Sequence, residues 1–372
     1  MLSTIREIRS EAHDVYGGRG GEIIAKALWA RARHGFALQD SFIYNLPNRP
    51  LSTWADYVPY WRDWYDALQV INQWPDGGRL NRDKVAQTAL MRDGGVPMIP
   101  EIAILWRDPK WGHTGEALSE LDSVTDVFER LSPGKYIVKE VDSGGGRGTF
   151  SLTVNEDGDL SFDDETFAAR GLAERLRTSQ LGKGWLLQPR LVTHPALDPM
   201  GGDNGLTTIR INTVLTPDGP DLLVAAMKLL SKPGLVDTFA GGMTGNMLAH
   251  IDPATGRLTS CYGRRPGHRW LLENMAQHPT TGAPTIGHQV PFFAEALAAA
   301  LKAAPLWPTL RMAAFDVAVT AGGVSVVEVN HNWETSLPQL MLGEGLRRAL
   351  APWRGRLLGA DANAAMAKAL GG

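Results

Sequence analysis

The sequence contains one cysteine, Cys261, which rules out an internal disulfide framework and leads us to expect a reducing compartment, the cytoplasm. No run of eighteen apolar residues occurs, so no segment is expected to span a bilayer. The opening stretch MLSTIREIRSEAHDVYGG scatters charges where a secretory signal needs an apolar block and a cleavage site. Neither charge dominates: 37 Lys and Arg against 40 Asp and Glu leave a net −3, which provides no field for nucleic acid or an anionic membrane. The nine histidines lack the H-E-x-x-H or paired spacing of a zinc site. Cys261 has no activating neighbour and reads as an inert packed or surface residue. What remains is a chain of 372 residues, 44% hydrophobic and 21% charged, enough for a large core and two or three domains.

Residues 1–78 read as a helical N-terminal region, with apolar residues three and four apart over 28–38 and 58–71. The aromatics Trp54, Tyr57, Tyr60, Trp61, Trp64 and Tyr65 read as helix packing rather than a stacking platform. Pro75-Asp76-Gly77-Gly78 marks a turn and a boundary. A helix follows, capped by Asn81, with Val85, Ala86, Ala89 and Leu90 as its inward stripe and Gly94 or Gly95 at its end. An acidic helix is expected over 118–131, and another over 292–304 with Pro291 at its first position. β-branched or alternating runs bounded by Gly, Pro, Asn or Asp predict strands at 136–141, 149–154, 185–188, 208–215, 222–229, 315–320 and 324–329. The tail from Gly345 reads as helical, with Arg347, Arg348, Arg354 and Arg356 on a solvated face. This order predicts an α+β fold with mostly antiparallel pairing.

Three constellations carry chemistry. In YIVKEVDSGGGRGTF, one strand delivers Lys139, a loop runs through Ser143, Gly144, Gly145, Gly146, Arg147 and Gly148, and a second strand follows. Glycines let backbone N–H groups approach phosphate oxygens. No Gly-Lys-Ser/Thr and no helix follow, so neither a Walker A loop nor a Rossmann fingerprint fits; a glycine-rich hairpin flap does, as does a plain surface turn. In FDVAVTAGGVSVVEVN, a hairpin centred on Gly322 sets Asp316 opposite Glu328, with Asn330 about 7 Å along the same face. Two facing carboxylates repel unless a cation lies between them, and with an amide oxygen they form a hard-cation donor set. A polar solvated hairpin face is the alternative. In TTIRINT, Arg210 and Asn212 share a strand face; the guanidinium could bind a phosphoryl or carboxylate group, or make a cross-strand salt bridge.

In this order, with Asp83-Lys84 and Gly95-Val96-Pro97, LLQPRLVTHPAL, IDPATG and HPTTGAP, these elements resemble the ATP-grasp superfamily, most closely its sugar-transfer associated ATP-grasp family, over residues 61–334. The resemblance implies a nucleotide held between two antiparallel-sheet subdomains, 79–188 with the Gly-rich loop and 189–372 with the metal site and C-terminal helix. It implies ATP and Mg²⁺: Lys84 and Lys139 on ATP phosphates, the 143–148 loop closing over them, Gln188 in the hinge strand, and Arg210 on the γ-phosphate. Asp316, Glu328 and Asn330 match the family's magnesium ligands. Pro189 has no N–H, so the adenine donor must be Arg190 or Leu191. The expected activity is carboxylate–amine ligation through an acyl phosphate, releasing ADP and phosphate; amino acids or amino sugars are candidate amines. A phosphotransferase, or a non-catalytic nucleotide-binding accessory protein of glycan biosynthesis, are the alternatives. The sequence departs from the family pattern at Lys228, where the family has arginine, and at Asp237-Thr238, where it has Asp-Asn. Candidate substrate contacts are Arg147, His194, Asn246, Arg264, Arg265, His331 and Asn332.

Overall fold

Strands with β-branched residues on alternate positions build two seven-stranded sheets in a computed structural model describing residues 2–16, 19–59, 62–73, 83–108, 110, 114–142, 148–162, 165–179, 182–265, 267–268 and 271–371. The first sheet contains β1 (Ala103–Trp106), β2 (Glu116–Ala117), β3 (Gly134–Glu140), β4 (Thr149–Val154), β5 (Leu160–Phe162), β6 (Glu165–Phe167) and β7 (Gly184–Pro189), in the order β2-β1-β7-β3-β4-β5-β6. The second contains β8 (Thr208–Thr216), β9 (Gly219–Leu229), β10 (Met247–Ile251), β11 (Leu258–Arg264), β12 (Leu272–Asn274), β13 (Met312–Thr320) and β14 (Gly323–Asn330), in the order β12-β11-β10-β9-β8-β13-β14. Within these sheets only β1 and β2 pair in parallel. The expected α+β class with antiparallel sheets is what forms.

Helices α1 (Leu2–Tyr16), α2 (Gly20–His34), α3 (Leu38–Ile43) and α4 (Arg62–Ile71) come first, and α5 (Lys84–Asp93) leads into the first sheet. Asp83 caps α5, accepting from the Val85 and Ala86 N–H groups; Asn81 lies outside the described residues, as do Tyr60, Trp61 and the 75–78 turn. The expected apolar stripe of α5 is corrected: Lys84, Gln87, Thr88 and Met91 are the buried ones. The helix is flanked on two sides, Val85 meeting the Ile104–Leu186 cluster and Leu90 the second sheet's core. Helices α6 (Leu121–Glu129) and α7 (Ala169–Thr178) cover the outer face of the first sheet, where Val138, Leu152 and Leu187 point. Opposite residues of the same strands, Ile137 and Lys139, turn inward.

The second sheet is buried on both faces. Ile209, Ile211, Phe315, Val317 and Met227 pack against α8 (Phe293–Ala303), whose Ala296, Ala299 and Ala300 let the helix lie close. That helix starts one residue after Phe292, which sits at φ +53°, so Pro291 is not its first position. On the other face, Val224, Ala226, Leu248, Met312 and Ala314 join one core with Trp54, Tyr57, Trp64, Leu68 and Ile71 from the N-terminal region. Helices α9 (Ser336–Leu342), α10 (Leu346–Ala349) and α11 (Ala360–Leu370) complete it. Trp54, Tyr57 and Trp64 are thus packing residues, as their spacing predicts. Asn72 clamps this core: its amide donates to the Met312 (3.0 Å) and His331 (2.6 Å) carbonyls and accepts from the Met312 N–H (3.0 Å). Arg347, expected on a solvated face, instead donates to the Leu370, Ala55 and Tyr57 carbonyls and ties α10 to both ends of the chain.

Candidate active site

The inward residues of both sheets line a cavity of about 900 Å³, at the upper end of small-molecule sites. From the first sheet's side come Lys139 on β3, Gln188 and Pro189 on β7, Arg190 and Leu191 just after it, and Lys84 at the start of α5. From the second come Arg210 and Asn212 on β8, Lys228 on β9, Asp316 on β13, and Glu328 and Asn330 on β14. Lys139 and Gln188 are almost fully buried. Ser143, Gly144, Gly145, Gly146 and Arg147 lie outside the described residues, but the hairpin that carries them is present: Lys139 pairs with Thr149. Gly148 holds φ +65°, and a Cβ there would meet the Glu140 carboxyl carbon at 2.6 Å.

Asp316 does face Glu328, but the hairpin is not centred on Gly322. Thr320 pairs with Gly323 around a two-residue turn, and the register shifts by one between Asp316 and Val317. The extra residue, Val327, forms a β-bulge. It turns Val326 into the core and brings Glu328 and Asn330 to the cavity face, whereas unbroken alternation from Val324 would bury both polar side chains.

Asp316 is fully engaged. Arg210 forks onto it (Nε–Oδ1 2.6 Å, Nη2–Oδ2 3.0 Å), Lys228 Nζ lies 3.1 Å from Oδ1, and Asn330 Nδ2 is 3.4 Å from Oδ2. The cross-strand salt bridge therefore exists in this state. Lys228 also contacts Asp237 at 2.7 Å, and Asp237 accepts from the Thr208 backbone N–H (3.0 Å) and hydroxyl (2.5 Å). Lys228, one departure from the family pattern, thus pairs with Asp237, the neighbour of the other, Thr238. Burial opposes ionisation of Asp316, but Arg210 and Lys228 prevail and hold its carboxyl below the usual carboxylate range. The Glu328 side chain has no hydrogen bond or ion pair with any described residue.

Lys84 and Lys139 are buried cations on the cavity wall. Burial pushes the Lys139 ammonium down to about 8, Glu328 pulling the other way and Lys84 adding to the fall. Burial likewise lowers Lys84, against the pull of Glu328 and Asp142. Lys84 also occupies the first turn of a helix, where the backbone dipole disfavours a cation. Such strain is what a polyanionic ligand would relieve.

Of the two hinge donors, Arg190 is excluded, because its N–H already donates to the Lys135 carbonyl at 3.0 Å; Leu191 N–H remains. His331 and Asn332 line the cavity, as expected of substrate contacts. Among the others, Asn246 donates to the Val236 and Thr238 carbonyls and braces that loop, His194 accepts from Ala196 N–H, and Arg265 lies beside Glu273; none lines the cavity. Arg264 is also away from it, and Arg147 is outside the described residues. Glu334 and Tyr65 were not marked as site residues by the sequence, and Lys228 and Asp237 only as places where the family pattern changes, yet all four line the cavity. For Lys228 the signal was there: a lone charge inside the apolar run LLVAAMKLL.

Among the described residues, no group of three or more His, Cys, Asp or Glu is placed to hold a metal. The Asp316, Glu328 and Asn330 set still fits a hard divalent cation, because its donors are all oxygens and Glu328 is unpaired on an open cavity face. No helix of the described residues is long and apolar enough to cross a membrane.

No curated protein matches the chain. Solved structures similar to it include the D-alanine–D-alanine ligase from Coxiella burnetii (12% identity, TM-score 0.34, 68% of this chain and 48% of that one). Others are a biotin carboxylase–βγ-ATP complex from Campylobacter jejuni (13%, 0.39, 79% and 47%) and the D-alanine–D-alanine ligase from Helicobacter pylori (12%, 0.39, 80% and 62%). The chain thus spans about half the length of the first two of these and 62% of the third. The family model described as sugar-transfer associated ATP-grasp matches residues 79–352, the stretch that holds both sheets and every site residue named above except Tyr65. The chain belongs to the sugar-transfer associated ATP-grasp family.

Proposed function

We propose that the protein is an ATP-dependent carboxylate–amine ligase that releases ADP and phosphate. The observation that carries this reading is the convergence in one cavity of buried cations from one side and an anion-rich, partly unpaired face on the other. Lys84 and Lys139 bind phosphate oxygens, and this restores the charge environment that burial denies them. The Leu191 N–H and Gln188 orient the base along the hinge. Arg210, already directed by Asp316, presents its planar fork to the transferring phosphoryl and then to the carboxylate that receives it. A divalent cation held by Asp316, Glu328 and Asn330 would supply charge neutralisation at the phosphate oxygens when bound. An amine then attacks the activated carboxylate and phosphate leaves, forming the amide.

The test is mass spectrometry of a reaction containing Mg²⁺-ATP and pooled amino acids and amino sugars, with nucleotide and condensation products followed together. ADP, phosphate and a new mass equal to two pool members less one water is the expected result. AMP with pyrophosphate would overturn the mechanism, and ADP without free phosphate would make the protein a phosphotransferase. Glu328→Gln is expected to abolish turnover with its melting temperature little changed; wild-type turnover in that variant would remove Glu328 from the ligand set.

A further inference from the structure

Beyond the charge cluster, the cavity continues along a hollow lined by Asn212, Asn330 and Trp333. The strand register fixes its walls: Ala314 pairs with Asn212 on one side and Asn330 on the other, so a small methyl lies between two amides. At one end stands the Arg210–Asp316 pair, and at the other Trp333, whose indole N–H donates to the Met312 carbonyl at 3.2 Å. Asn212 is 1% exposed, lines the cavity, and has no hydrogen-bond partner for either its oxygen or its nitrogen. A buried amide left without partners is destabilising, so this side chain is poised for something that enters.

Glu334 faces the same space. Its carboxylate accepts from Ser336 and from the Leu337 N–H at the start of α9, and it forms no ion pair with a described residue. The field of Arg210 reaches it, which places it beside the Arg210 end of β8, yet burial still pushes its carboxyl upward. Every other carboxylate lining the cavity lies nearer the phosphate-binding cations or in an ion pair with Lys228 or Arg210.

We infer that Glu334 and Asn212 form the acceptor subsite of the proposed ligase, selecting a cationic amine with a hydroxyl or amide on the neighbouring carbon. The inference rests on the ligase reading for its place in the reaction, but the recognition itself is a property of the hollow. The ammonium pairs with the Glu334 carboxylate, which has no ion-pair partner among the described residues. The neighbouring polar group gives and takes a hydrogen bond at Asn212, whose oxygen and nitrogen demand both. Trp333 and Tyr65 cover the carbon skeleton.

The probe is 2-aminoethanol, the smallest molecule with both features, titrated by calorimetry or protein-observed NMR into the full chain without nucleotide. Ethylamine and glycolate serve as comparisons, and ADP is titrated separately into the wild-type chain. We expect 2-aminoethanol to bind better than ethylamine and glycolate not to bind. Glu334→Gln keeps the side-chain shape and an oxygen for Ser336 N–H; it should weaken 2-aminoethanol by about tenfold or more. Asn212→Ala should erase the preference over ethylamine while leaving ethylamine binding in place. Equal binding by wild type and Glu334→Gln, binding of glycolate, or no amine binding at all would overturn the inference. Failure of ADP to bind the wild-type chain would instead strike at the nucleotide reading and leave the amine result to stand alone.

Discussion

Lys139 shows how a single residue records its purpose in its energetics. Its ammonium is held near 8 in the folded chain against 10.5 when unconstrained, so between those values the unfolded state binds more protons and stability rises with pH. Below about 8 the full cost of burying the charge is present, about 3 kcal/mol. Lys139→Met is therefore expected to stabilise the protein toward urea at pH 7, by an amount that shrinks as pH climbs from 8 toward 10.5. The same variant should lose nucleotide affinity. Paired urea melts at several pH values check the first point and ADP titration the second. Cys261 makes the opposite case. Burial pushes its thiol up to about 12, so a disulfide reagent at pH 8 is expected to label it only after denaturation. These residues were legible in the sequence because their types are rare in their settings. The Lys228–Asp237–Asp316 network was not, since it joins positions 228, 237 and 316 and exists only once three strands are in register.

At the scale of the element, the β13–β14 hairpin is the lesson. Counting residues about Gly322 pairs Asp316 with Glu328 correctly, yet the true turn is one step away and the bulge at Val327 compensates. Periodicity cannot reveal a bulge in a run such as VSVVEVN, where valines occupy both parities. The two registers bury different valines, which makes them separable. Val326→Thr should cost about 1–3 kcal/mol by burying a hydroxyl among Val317, Val319 and Val329, while Val327→Thr, on the cavity face, should stay within about 0.5 kcal/mol. Urea denaturation of both variants decides it. A second irregularity, between Asn212 and Thr213 on β8, borders the other wall of the hollow, so bulges flank the site on two strands. The long inner strands were readable from composition. Short strands at or next to a sheet edge, β5, β6 and β12, of three residues each, were not, because their pairing is set by neighbours rather than by their own pattern.

For the molecule as a whole, the N-terminal helices are structural parts of the second sheet's core. Trp54, Trp64, Leu68 and Ile71 share one cluster with Met312, Ala314, Leu340 and Met366. A chain cut to residues 79–352, the span matched by the family, would lose both the N-terminal side of that cluster and Met366 and Leu370 from α11. Each buried side chain stripped away forgoes roughly 1.5–3 kcal/mol, and the apolar face left behind is large. The truncated chain is expected to be unfolded or aggregated, by circular dichroism and size-exclusion chromatography, where the full chain is folded. The helical character of residues 1–78 could be read from spacing, but their union with the far end of the chain could not, because no local pattern records a contact spanning two hundred and more positions.

The Asn72 clamp also has a meaning in time. Its partners, Met312 and His331, leave the ribosome some 240 residues after Asn72 itself. Until they do, the N-terminal helices have no sheet to cover, and Arg210 waits on β8 without Asp316. Synthesis thus carries a long interval in which a cluster of tryptophans and a buried-to-be set of charges are exposed together, so the nascent chain needs shelter most just before its site is complete.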